Sequence, residues 1–136
     1  MEPSQEYQAQ LMRFQELKEH RDMLQNQLEF VNVSLSNVIN TKKTVENLKE
    51  GVNVDDEILV PIGGHIFVKA SIKDTNKILL AVSQDVVIEK DLESAKEYLD
   101  NLIEQHNQQI QFLATQIQQR DQALQQLSQN FQNVYT

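Results

Sequence analysis

The chain of 136 residues has no cysteine, which excludes disulfides and thiolate metal centres and fits a reducing compartment. It has only two prolines and three glycines. Pro3 stands at the start, while Gly51, Pro61, Gly63 and Gly64 gather near the middle. Residues 4–50 and 65–136 thus contain no helix breaker. Basic residues are outnumbered, 12 Lys and Arg against 20 Asp and Glu, giving a net charge of −8. A surface for nucleic-acid phosphates needs clustered cations, so no nucleic-acid partner is expected. No run approaches the roughly 18 apolar residues of a membrane helix. The opening residues, MEPSQEYQAQ, are polar and acidic, unlike a secretory signal. The expectation is a soluble cytoplasmic chain forming one domain over residues 1–136.

What is present is helical periodicity on both sides of that centre. From residue 4 to 50, Tyr7, Leu11, Phe14, Leu17, Leu24, Leu28, Val31, Leu35, Val38 and Val45 follow steps of four and three. Arg21 and Lys42 fill two places in this seam, and the short step from Phe14 to Leu17 is a local stammer. Such spacing over about five heptads predicts a coiled-coil helix. Pro3 suits its first turn, and Gly51 suits its stop by adopting a positive φ. A second helix is predicted from Asp91, as N-cap, to residue 134. Its seam runs Leu92, Ala95, Leu99, then Ile103, His106, Ile110, Leu113, Ile117, Leu124, Leu127, Phe131 and Val134, with one inserted step near residue 100. Residues 105–132 hold 12 Gln, but the apolar spacing persists through them, so they read as a solvated helix face.

Two such helices bury their seams by folding back on each other, with facing residue numbers summing to roughly 140. Arg21 and Arg120 then fall at one level, and repel unless Asp22 or Asp121 compensates. The centre, residues 57–89, alternates as strands do. Ile58 to Ile62, His65 to Ile72, Lys77 to Val82 and Val86 to Ile88 form two hairpins, with Gly63 and Gly64 turning the first. Apolar groups stand on both faces: Ile66, Val68, Ile78, Leu80 and Val82 on one, Phe67 and Leu79 on the other. So short a segment cannot bury both faces on two helix ends, so further subunits are expected to close the sheet. The predicted fold is α+β, mainly α: a long antiparallel coiled-coil hairpin whose base carries two β-hairpins as an oligomeric platform. Its residues are Ile58, Val60, Ile66, Phe67, Val68, Ile78, Leu80, Val82 and Val87.

Catalysis is not expected. His20, His65 and His106 lack ligand spacing, and His106 falls in the seam as a polar core residue. Asp55, Asp56 and Glu57 lack the EF-hand pattern and read as a solvated loop. Gly63-Gly64 is not followed by a phosphate-binding motif. Neither metal nor cofactor is called for. The unusual feature is at the chain ends, where four of the eight aromatics lie: Tyr7, Phe14, Phe131 and Tyr135. Leu11, Met12, Leu124, Leu127 and Val134 accompany them. Met12 lies beside the seam, not in it. Adaptable apolar groups at a helix tip suit the binding of many apolar partners. A plain completion of the seam accounts for Leu11 and Leu127 equally well.

The stretch Asp56-Glu57-Ile58-Leu59-Val60-Pro61-Ile62-Gly63-Gly64, then Ile66-Phe67-Val68-Lys69-Ala70, and the segment Val87 to Ala95 resemble prefoldin, in its archaeal α-class form. The resemblance spans essentially the whole chain, since helix, two hairpins and helix is the α-class layout. One departure is His65, where the family favours a smaller residue. The resemblance implies a hetero-hexamer of two α and four β subunits, joined through their strands. It implies an ATP-independent holdase that captures non-native proteins at coiled-coil tips and delivers them to a group II chaperonin. A structural scaffold or filament subunit on the same platform is the alternative. A nucleic-acid-binding arm is weaker, because residues 91–136 carry only Lys96 and Arg120 against six acids.

Overall fold

The computed structural model describes residues 4–135, with side chains through Gln132. The order is α1 (Gln5–Glu50), β1 (Glu57–Gly63), β2 (Ile66–Ser71), β3 (Lys77–Ala81), β4 (Val87–Asp91) and α2 (Leu92–Tyr135). The fold is mainly helical α+β, two long helices and two antiparallel hairpins. It comprises two compact units, one built from residues up to Leu35 with those from Gln105 on, the other from Ser36–Glu104.

In the first unit α1 and α2 pack on Leu24, Val31, Leu113 and Ile117, with Leu28 and Ile110 against them. These are the seam positions the spacing predicts. The polar seam residue His106 is half-buried, and its Nε2 shares a 2.9 Å hydrogen bond with Ser34 Oγ. The level of Arg21 and Arg120 is compensated. Arg21 Nε donates to Asp121 Oδ1 at 2.9 Å and Arg21 also lies 3.5 Å from Asp22. Arg120 turns away, donating to His20 Nδ1 at 2.8 Å and to Gln116. Each guanidinium thus has acceptors of its own, and no repulsive layer forms.

In the second unit Val45, Leu92 and Leu99 form the core, with Val38, Leu48, Ile78 and Leu102 around it. Leu102 packs here, where the sequence spacing leads to the expectation of Ile103. Three residues beyond Leu99, it continues the seam, and two successive steps of four lead on through His106 to Ile110. Ion pairs cross between the helices: Lys42 with Asp100 at 2.5 Å, Lys96 with Glu46 at 3.8 Å, and Lys49 with Glu93. All are exposed enough to set register more than stability.

The two ends of α1 are held differently, and the second departs from expectation. Pro3 lies outside the described residues, and Ser4 caps α1, its Oγ accepting from Tyr7 N–H at 3.1 Å. Gly51 ends α1 without a left-handed φ; its N–H still bonds Asn47 O at 2.9 Å. The chain is then turned by Asp56, whose carboxylate accepts from Asn53 N–H at 2.8 Å, while Asp55 takes a φ of 72°. The acidic cluster therefore serves as turn chemistry.

Candidate binding surfaces

Apolar groups stand uncovered on the strands of the second unit and at the helix ends of the first. In the second unit β1 pairs with β2 and β3 with β4, each as a separate two-stranded sheet. The first hairpin pairs Ile58 with Ala70 and Val60 with Val68, and its turn is Gly64-His65, not Gly63-Gly64. Both turn residues have positive φ, 53° and 63°, as a two-residue hairpin turn that follows strand twist requires. Ile62 is an extra residue between Pro61 and Gly63, where the register shifts. Proline has no N–H to donate, so the irregularity falls beside it.

Every residue of β1 is exposed, and in β2 only Ala70 is partly covered. Ile58, Val60, Ile66, Phe67, Val68 and Val87 are all large apolar groups in the open. Leu79, on the other face of β3, is 73% exposed. A two-stranded hairpin is marginal alone in water, and these two present apolar faces that the described residues do not cover. Ile78 and Leu80 are the exceptions among the expected platform residues. Ile78 packs on the Val45 and Leu92 core, so the chain itself covers it, and Leu80 beside it is half-buried. Val82 falls just beyond β3, exposed, its N–H bonded to Val86 O at 3.0 Å.

Electrostatics hold the start of α2 against these strands. Asp91 Oδ1 accepts from Ser94 N–H at 2.7 Å, and Leu92 N–H donates to Asn76 O at 2.9 Å. The bond from Ser94 backbone, then that from its hydroxyl, holds the Asp91 carboxyl below its ordinary range. Lys49, by hydrogen bond and charge, does the same to Glu93. Groups whose folded values are depressed stabilise fully above their unfolded values, about 4, and lose that contribution as pH falls through the folded values. The melting temperature should therefore decline below about pH 4. Asn also caps helices well, so Asp91→Asn with Glu93→Gln should melt like the parent near neutrality and show a shallower acid decline. An unchanged acid limb in circular-dichroism melts would remove this account.

In the first unit the candidate tip residues come together. The Phe131 ring lies edge-on between Tyr7, at 5.6 Å and 75°, and Phe14, at 6.1 Å and 69°. Seven residues separate Tyr7 from Phe14, two helical turns, so one ring of α2 reaches both. Such pairs add about 0.5–1.5 kcal/mol to simple burial. Leu124 and Leu127 are half-buried, as seam residues should be. Leu11 is 38% exposed and Met12 62%. The side chains of Val134 and Tyr135 lie outside the described residues. Among the described residues no cluster of three His, Asp or Glu could hold a metal, and no helix is long and apolar enough to cross a membrane.

The chain is similar to known proteins in sequence and in fold. The family model described as "Prefoldin subunit" matches residues 17–136. Prefoldin subunit alpha of Methanococcus vannielii is 30% identical over 115 residues, 85% of this chain and 76% of that one. Prefoldin subunit alpha of Methanococcus maripaludis is 30% identical over 119 residues, 88% of this chain and 80% of that one. The fold is similar to that in the cryo-EM structure of filamentous PFD from Methanocaldococcus jannaschii, with TM-score 0.67, 17% identity, and coverage of 90% and 94% of the two chains. With the family model spanning nearly the whole chain, this protein belongs to the prefoldin family, as an α-class subunit of archaeal type, a chaperone component and not an enzyme.

Proposed function

We propose that this subunit acts in an ATP-independent holdase. It joins β-class prefoldin subunits, two α with four β, through the strands of residues 57–89. The assembly captures non-native proteins with the helix ends and passes them to a group II chaperonin in the cytoplasm. The observation that carries the capture step is the end of the first unit. There Met12 stands open on α1, within the same turns that bring Tyr7 and Phe14 against Phe131. An exposed methionine, unbranched and adaptable, suits apolar segments of many shapes. Each contact with a largely buried side chain is worth about 1–2 kcal/mol. One subunit therefore holds a client weakly, and several around one cavity hold it through multivalency.

The test is to mix the chain with a β-class prefoldin subunit, measure the mass of the product, and add a chemically denatured test protein. The expected result is a hetero-hexamer that suppresses aggregation without nucleotide. An assembly of that mass with no effect on aggregation rejects the capture reading, and polymers of the chain alone favour a scaffold or filament role.

A further inference from the structure

Several large apolar side chains away from the strands and helix ends serve neither core, Met23, Phe30, Val33 and Phe112 among them. Met23 is 52% exposed, Phe30 76% and Phe112 62%. Met23 and Phe30 are two turns apart on one side of α1, beside the buried seam residues Leu24 and Val31. With Asn26, Gln27 and Gln109 of α2 they line a shallow groove of about 330 Å³. Phe112 lies three residues beyond Gln109, on the same face of α2. This side of the first unit bears no charge on any residue named. The charges of this stretch, Asp22, Glu29 and Asp121, lie on other positions, Arg21 is drawn to Asp121, and Arg120 is held by His20 and Gln116.

We infer that this uncharged flank is a second contact for a non-native polypeptide, taking a short extended segment with apolar side chains. The inference rests on the holdase reading above. Two observations select the occupant. Three partly exposed side chains offer on the order of 400 Å². A stable second copy needs about 800 Å² from each partner, so the area suits a single short segment. The groove is also edged by amides, each of which can both donate and accept hydrogen bonds. An unfolded segment brings unpaired backbone N–H and C=O groups that need both. Met23 and Phe30, seven residues apart, are separated by about 10 Å along the helix, the reach of about three extended residues. An acidic flank would select basic clients; a neutral one accepts apolar segments whatever their charge.

The test uses the full chain in its assembled form and a permanently unfolded probe, fluorescein-labelled, reduced and carboxymethylated lactalbumin. The variant Met23→Ser, Phe30→Ser, Phe112→Ser changes only exposed residues, so helicity and assembly mass should match the parent. Its binding by fluorescence anisotropy is expected to be roughly tenfold weaker. A photoreactive benzoylphenylalanine placed at Phe30 should capture the probe, and one at Asn32 should not. Binding equal to the parent overturns the flank site and leaves capture at the helix ends standing. A parent that does not bind the probe at all overturns the holdase reading together with this inference. Capture of a second copy by the photoreactive group at Phe30 overturns it in favour of a self-contact.

Discussion

Deleting residues 1–12 together with 126–136 should abolish suppression of aggregation while leaving an assembly of correspondingly reduced mass. The deletion removes Tyr7, Leu11, Met12, Leu127 and Phe131, and leaves Phe14 without its partner ring. None of these belongs to the compact unit that contains the four strands. Losing three or more contacts of about 1–2 kcal/mol each costs a single binding element at least a hundredfold in affinity. Where several elements act on one client, such losses multiply. Light scattering of an aggregating test protein at fixed molar ratio is the measurement. Undiminished suppression would show that the helix ends are not the client site. The flank of Met23, Phe30 and Phe112 would then be the first place to look.

The second large effect concerns assembly. Val60 and Val68 are cross-strand neighbours on one face of the first hairpin, both exposed in the single chain. Val60→Asp with Val68→Asp should therefore be tolerated by the chain itself, whose helix cores lie elsewhere. In an assembly closed over that face the two carboxylates would be buried without partners, at a cost of several kcal/mol each. Light scattering should find monomers, and circular dichroism should find helicity retained. An unchanged oligomer mass would mean that this face is not the one covered. By contrast, Ile78→Asp should damage the chain, because Ile78 packs on Val45, Leu92 and Leu99. That contrast separates loss of assembly from loss of folding.

Much of this protein is decided by local rules that any reader of the sequence can apply. Glycine and proline are confined to Pro3 and to 51–64, so the two helices have no local reason to stop elsewhere. Steps of three and four select Leu24, Val31, Leu113 and Ile117 for the core, since 3.6 residues per turn returns those side chains to one face. Asp91 caps α2 because a short carboxylate reaches the N–H three residues on. Alternation and turn residues likewise place the hairpins of residues 57–91. What tertiary structure alone decided depends on reach across the molecule. Arg21 and Arg120 escape repulsion because Asp121, His20 and Gln116 fall within hydrogen-bonding distance once the helices are in register. Ile78 is covered by its own chain because Asn76 ties the start of β3 to Leu92, beside the helix core. His65 adopts a left-handed φ because the strands on either side impose the turn, against its own preference. Periodicity marks Met23, Phe30 and Phe112 as lying off the seam. That all three stand open, with Met23 and Phe30 beside Gln109 of the other helix, follows only from the pairing of α1 with α2, because exposure is a property of neighbours and not of the residue.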